Sequence, residues 1–342
     1  MGIEPRSLDL FIPGLLGRLP WSGTPGLPEP HCPALKKLLA RAPRPPASAT
    51  VEEAPFSLFG YRLPAAQDRP DAWLSYRADT GRFAERAVLR ADPVHLRADQ
   101  HRLVLFDALQ ARITAPEADD LVAAFNALYG DEGLRLEAPT ASRWYLHLPE
   151  WPRLETTPLA LVRGRDIDSA LPRGPAAPDW HRLMNEVQML FHGQAVNRDR
   201  EAQGRPSINS LWFWGAGKPV EARPQTWRQV WTEDAVVMGL AELNGIASAP
   251  VPSNASDWLA QAGAGRHLLT IDELQQSAAY ADLDAWSAAV ARFEEDWFAP
   301  LVRALRSGLV QELRLYPGDG RLYAVRGGDL WRVWRRTRPL WN

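Results

Sequence analysis

The chain has 342 residues, 46% hydrophobic and 23% charged, with 39 Lys+Arg against 41 Asp+Glu and a net charge of -2. At roughly 150 residues per domain this leaves room for about two domains and excludes a peptide hormone or a disulfide-stapled module. The weak overall field steers it toward neither DNA nor an anionic membrane, and the single cysteine, Cys32, excludes an internal disulfide framework and a multi-thiolate metal site.

Reduced thiol chemistry fits the cytoplasm. Glu4 and Asp9 stand where a secretory leader carries positive charge, Pro13-Gly14 breaks the apolar run 10–16, and no run approaches the roughly 20 apolar residues that cross a bilayer. A soluble protein without membrane contact is expected.

In chain order, residues 8–12 read as a buried strand and 33–41 as a short helix with Leu35, Leu38 and Leu39 on one face. A Pro/Ala-rich loop covers 42–54. From 87 the pattern changes to short strands (88–89, 103–106), a helix opened by Pro116 with Leu121, Phe125 and Leu128 at i, i+4, i+7, and two more strands at 134–136 and 144–148. This block reads as a small α+β insertion. Beyond Pro149 strands and helices alternate: a helix over 179–192, a strand over 208–214, a helix over 234–243, a strand over 267–271 and a long amphipathic helix over 283–306. Such alternation predicts a mostly parallel sheet covered by helices on both faces. Residues 313–316 and 322–325, joined by Pro317-Gly-Asp-Gly320, form a terminal hairpin.

Four segments hold candidate chemistry. Asp92, His95, Arg97, Asp99 and His101 could present metal donors along one strand, although the interleaved arginine disfavours a cation. Asn197, Arg198 and Arg200, followed by Asn209, concentrate guanidiniums and amides in a loop suited to a phosphate or carboxylate, or to an Arg–Asp/Glu network that orders the loop. Trp212-Phe-Trp-Gly-Ala-Gly217 runs from a strand into glycines that could cradle phosphate, while its tryptophans suit a core. Trp331, Trp334 and the arginines around them could stack on single-stranded nucleic acid or on one another; at this net charge nucleic acid is the weaker reading. All but three basic residues are arginine, the exceptions being Lys36, Lys37 and Lys218. No Gly-x-Ser-x-Gly elbow, P-loop or His-Glu-x-x-His helix occurs.

Taken in order, Pro33-Ala-Leu-Lys-Lys-Leu-Leu-Ala-Arg41, Ser57-Leu-Phe-Gly-Tyr61, Leu89-Arg-Ala-Asp92, Ala111-Arg-Ile-Thr-Ala-Pro-Glu117, Ala195-Val-Asn-Arg198, Ile208-Asn-Ser-Leu-Trp-Phe-Trp-Gly215 and Ala299-Pro-Leu301 resemble the archaeal-type cofactor-independent phosphoglycerate mutases of the alkaline phosphatase superfamily. More closely still, they look like the proteobacterial RpfE-type regulatory proteins. The resemblance implies an α/β alkaline-phosphatase-like core, discontinuous over 1–85 and 150–342, with a small inserted domain over 86–149. It also implies two divalent metals about 3.5–4 Å apart and a Ser or Thr that carries the phosphoryl group. Here the first-strand Asp-Gly of the metal site reads Pro13-Gly14, the family's histidine stretch reads Ala278-Ala-Tyr280-Ala-Asp282-Leu-Asp284, and the terminal Asp-His-Gly is replaced near Pro317-Gly-Asp319-Gly320. The expectation is a catalytically degenerate, regulatory or anion-binding protein without cofactor. It would hold a phosphorylated small molecule at Asn197, Arg198, Arg200 and Asn209, and could meet a protein partner. The alternative is an active mutase or phosphatase with two Mn or Zn ions on relocated ligands, Asp272, Asp282, Asp284 and Asp319.

Overall fold

A computed structural model describes residues 6–17, 19–22, 24, 27–43, 53–64, 67–99 and 102–340. The strands in chain order are β1 (Arg6–Phe11), β2 (Ala87–Asp99), β3 (Arg102–Asp107), β4 (Arg135–Thr140), β5 (Arg143–Leu148), β6 (Ser210–Trp214), β7 (Trp227–Trp231), β8 (Ser248–Ala249), β9 (Gly265–Thr270), β10 (Glu312–Tyr316) and β11 (Tyr323–Arg326). They fall into two units, Met1–Arg62 with Ala222–Asn342, and Leu63–Glu221.

The first unit holds the sheet β11-β10-β1-β9-β7-β8, parallel throughout except for the terminal β10–β11 hairpin. Leu8 and Leu10 alternate with Ser7 and Asp9, so one face of β1 is apolar. Parallel register places Leu313 and Leu315 of β10, and Leu269 of β9, beside them. That face forms one core with Leu35 and Leu38 of the Pro33–Arg41 helix, Trp258 of the Ala255–Gln261 helix, and Trp286, Val290, Leu301 and Leu305. The expected long helix over 283–306 is interrupted: Leu283–Phe293 and Ala299–Ser307 flank a π-turn, Glu294–Phe298.

That interruption aims a buried carboxylate. Cys32, at the N-cap of the Pro33–Arg41 helix, provides no side-chain cap. Glu294 substitutes for it from 260 residues away, accepting the Ala34 amide at 2.6 Å and the Leu35 amide at 3.0 Å. A charged acceptor on amides that lack intrahelical partners also complements the helix dipole. Removing it as Glu294→Ala is expected to cost about 3–6 kcal/mol, since each of the two charge-assisted bonds contributes about 1.5–3. Urea unfolding should show this loss, with Glu294→Gln recovering part of it.

In the second unit all strand pairs are antiparallel. The long β2 serves three partners in turn: β5 over 87–90, β6 over 90–94 and β3 over 94–99. At the exchange point the buried Arg90 meets Asp92 at 2.6 Å and lies 5.3 Å from the Tyr145 ring centroid and 5.0 Å from that of Trp214. The Ala115–Tyr129 helix opens with a Thr114/Glu117 capping box, as the Pro116 start suggests. The expected insertion, 86–149, lies inside this second unit, Leu63–Glu221. The alternation predicts residues 208–214 as a strand of the parallel core, but β6 pairs with β2 instead. The Ala177–His192 helix follows it, setting Trp180 edge-on to Phe213 at 5.0 Å.

Asp68 ties the start of this unit to the loop after β6. Its carboxylate accepts from the Thr156 hydroxyl at 2.5 Å and from the Ala216 amide at 3.0 Å. Gly217 lies so close that an added Cβ would stand 2.1 Å from the Asp68 carbonyl oxygen. Burial pushes the Asp68 carboxyl from 3.8 up to about 6, against the pull of the Thr156 and Ala216 hydrogen bonds. The folded chain therefore binds this proton more tightly than the unfolded one, and stability falls as pH rises from about 4 through about 6. The expected loss is about 2–3 kcal/mol at 1.36 kcal/mol per pH unit. Denaturant midpoints across that window should flatten in Asp68→Asn.

Candidate functional site

Parallel sheets are usually apolar on both faces; the second face of this one is charged. Asp9, in the middle of β1, is fully buried. Arg266 of β9 grips it in a fork, Nε at 2.9 Å and Nη2 at 2.8 Å. The Tyr316 hydroxyl donates to the same carboxylate at 3.0 Å, and Arg314 stands 3.5 Å away while also pairing with Glu312. The Arg266 guanidinium lies 4.0 Å from the Trp227 ring centroid, flat enough in reach for a cation–π contact. Burial alone would lower its pKa, yet the hydrogen bond and charge of Asp9 raise it. Burial, then the Asp9 charge, raise the Tyr316 hydroxyl, which stays a protonated donor.

Above this network lies a cavity of about 420 Å³. Its polar lining comprises Ser57, Gln225, Thr226, Arg266 and Tyr316, and its larger apolar side chains are Leu58, Phe59, Pro224 and Leu322. The Ala54–Leu58 helix and the turn after it are fixed to the lead-in of β7: the Gln225 amide donates to the Phe59 carbonyl at 2.8 Å and Arg223 to the Gly60 carbonyl at 2.7 Å. Arg266 keeps a side-chain exposure of 33%. Its Nη1 reaches only Thr226 Oγ1, at 3.4 Å, among the described residues.

At the strand tips the topology brings together the loops where the resemblance locates metal ligands. The Leu16 amide donates to the Pro317 carbonyl at 2.8 Å, which laces the loop after β1 to the terminal hairpin. Trp286 Nε1 donates to the Gly14 carbonyl at 2.7 Å, and an added Cβ on Gly14, at φ +83°, would stand 2.9 Å from the Gln275 backbone. The four alternative ligands are not gathered there. Asp272 precedes the Glu273–Ala279 helix; Asp282 caps the Leu283–Phe293 helix through the Ala285 amide at 2.9 Å; Asp284 lies exposed in its first turn. Asp319 accepts from the Arg321 amide at 2.9 Å and from the Tyr323 hydroxyl at 2.8 Å. Among the described residues no group of three or more His, Cys, Asp or Glu side chains is placed to hold a metal ion.

The expected arginine-rich loop begins as a helix, Ala195–Ala202, and this helix and the turn after it are tied to their surroundings by hydrogen bonds. Asn197 donates to the Phe191 and Ile208 carbonyls, each at 2.8 Å, and accepts the Ile208 amide at 2.7 Å. Buried Arg200 donates to the Pro206 carbonyl at 2.7 Å, to Glu117 at 2.9 Å and to the Ala111 carbonyl. Asn209 exchanges two bonds with the Leu96 backbone at 2.7 and 2.9 Å, and the more exposed Arg198 donates to the Gly193 carbonyl at 2.7 Å. The structure thus draws on these groups as the network that orders the loop. Likewise the amides of Gly215, Ala216 and Gly217 donate to Thr156, Asp68 and the Arg69 carbonyl. In the first segment His95 contacts the Ser207 carbonyl at 2.8 Å and Arg97 stacks 4.7 Å from the Phe106 centroid; His101 lies outside the described residues. Trp331 and Trp334 are exposed.

The cavity residues escaped the motif search, although a signal exists: Leu8-Asp9-Leu10 and Leu313-Arg314-Leu315-Tyr316 alternate strictly, which in a parallel strand announces a polar face.

The chain has the α/β fold of the alkaline-phosphatase-like proteins. A protein from Pyrococcus horikoshii, PH0037, shares the fold with a TM-score of 0.50 and 13% identity over 94% of this chain and 87% of its own. In sequence the chain is similar to phosphoglycerate mutases of the 2,3-bisphosphoglycerate-independent kind. A probable enzyme of that kind from Geobacter sulfurreducens is 27% identical over 135 residues, covering 38% of this chain and 33% of the relative. One from Methanosarcina barkeri is 25% identical over 204 residues, covering 58% and 48%. The chain thus spans between a third and a half of the length of these relatives. No protein-family profile matches it. The expectation of no cofactor is corrected by these relatives: cofactor-independent phosphoglycerate mutases work with two metal ions, manganese among them, which agrees with the two-ion alternative. No helix among the described residues is long and apolar enough to cross a membrane.

Removing the shared carboxylate should leave the Arg266 fork without its anion, while Arg314 keeps Glu312. Asp9→Asn is expected to lower stability by about 3–5 kcal/mol, the usual cost of breaking a buried pair from one side. Because the pair is buried, urea unfolding should give nearly the same difference at low and at high salt.

Proposed function

We propose that this phosphoglycerate-mutase-like protein is catalytically degenerate as a mutase and acts as a regulatory protein that binds a small phosphorylated or carboxylated anion. The observation that carries this reading is the cavity over the Asp9–Arg266–Tyr316 network, where a preorganised guanidinium with an unspent edge faces open space. Ligand sites combine apolar walls with a few fixed polar groups in this way. Support for degeneracy comes from the strand tips, where Pro13 offers no side-chain donor and the Asp282 and Asp319 carboxylates serve as local caps.

A second reading is favoured by the relatives' own names: a metal-dependent mutase or phosphatase with relocated ligands, among which Asp319 stands in the hairpin laced to the first strand-tip loop. Both readings meet in one assay, interconversion of 3- and 2-phosphoglycerate with Mn²⁺ supplied, run beside a thermal-shift series with inorganic phosphate, 3-phosphoglycerate, benzoate and octanoate. The expected outcome is no turnover above buffer, and a rise in Tm with at least one anion that Arg266→Gln abolishes. Turnover lost on Asp319→Ala would establish the second reading instead.

A further inference from the structure

The chemistry of the cavity narrows the ligand class. Arg266 is not a free cation. Its forked side is spent on Asp9, whose charge stands directly behind it, and Arg314 is shared between Asp9 and Glu312. A ligand approaching from the cavity therefore meets one N–H edge, Nη1, backed by a largely compensated charge. A phosphate dianion needs a strong positive field, and here the field of Arg266 is offset by the Asp9 carboxylate paired with it. A single negative charge gains from the same edge without that penalty.

The rest of the lining is mixed: Ser57, Gln225, Thr226 and Tyr316 add neutral polar groups and no further cation, and one side is apolar. Leu58, Phe59, Pro224 and Leu322 line it, and Phe59 lies 6.5 Å from the Trp227 ring, whose other neighbour is the Arg266 guanidinium. A molecule that satisfied only the polar end would leave these side chains wet; one with an apolar body would cover them. About 420 Å³ accommodates such a body.

We infer that the cavity binds an amphipathic monocarboxylate, its carboxylate on the Arg266 edge and its aliphatic or aromatic body against Leu58, Phe59 and Leu322. This rests on the reading of the cavity as an anion site, and it specifies which anion. The position is on the sheet face over β9 and β10, with Leu322 of the turn after β10 on one side.

The test uses the whole chain and titration calorimetry with octanoate, benzoate, inorganic phosphate and 3-phosphoglycerate. Octanoate or benzoate should bind at least tenfold more tightly than either phosphate compound; the better of the two identifies the body as aliphatic or aromatic. Arg266→Gln should weaken that binding at least tenfold. Because Arg266→Gln also removes a partner of buried Asp9 and could unfold the chain, Ser57→Trp is the second variant. Ser57 is exposed on the cavity rim and makes no hydrogen bond through its side chain among the described residues, so tryptophan there should fill the cavity, weaken carboxylate binding at least tenfold and leave Tm within a few degrees. Carboxylate binding unaffected by Ser57→Trp would overturn the inference. Phosphate or 3-phosphoglycerate binding as tightly as octanoate, in an Arg266-dependent way, would overturn it too while leaving the anion-binding function standing. No binding by any probe would remove both.

Discussion

A carboxylate with no solvent exposure in the middle of a parallel sheet sets the terms for the first unit. Asp9 loses its hydration on folding, a cost of several kcal/mol unless paired, and among the described residues its side-chain partners come from the neighbouring strands. Arg266 on β9, Arg314 on β10 and Tyr316 at the end of β10 all converge on it. Once they do, that face of β1, β9 and β10 cannot be covered by an apolar helix as its opposite face is. The cavity and its chemistry follow from this single buried charge.

The same device recurs through the chain and accounts for much of its arginine excess. Arg90 with Asp92, Arg143 with Asp79, Arg163 with Asp107 and Arg200 with Glu117 each set a guanidinium against a carboxylate of low exposure. A planar fork can donate to a carboxylate and to backbone carbonyls at once, which a lysine ammonium does with less geometric definition. Arg200 is the clearest case: one side chain gathers Pro206, Glu117 and Ala111 and so fixes the turn after the Ala195–Ala202 helix. Glu294 does the reverse with an anion, holding a helix start that its own sequence leaves uncapped.

Where local pattern and tertiary role coincide, the elements were legible. The 33–41 helix, the Pro116-led helix and the terminal hairpin appear close to their expected bounds because periodicity and turn residues speak for themselves there. The Asp71–Thr80 helix was invisible: Ala72, Trp73, Leu74, Ser75 and Tyr76 are all buried, so it has no polar stripe to betray its period. The strand over 210–214 was seen but placed in the wrong sheet, since five consecutive buried residues suit a parallel core as well as the centre of an antiparallel sheet. For the candidate site, Asp9 and Arg266 are separated by 257 positions. Residue types alone pointed instead to Arg198 and Arg200, where guanidiniums cluster in sequence. Clustering along the chain reported loop order; convergence across strands made the cavity.

Tyr316 joins the two places where this fold could act. Its hydroxyl and ring belong to the charged face and the cavity, while the next residue, Pro317, accepts the Leu16 amide and begins the hairpin turn that holds Asp319. The strand is held by ladders to β1 and to β11, whereas the turn contains Gly318 and Gly320 at positive φ, so consecutive residues carry a wall of the cavity and the turn that positions Asp319.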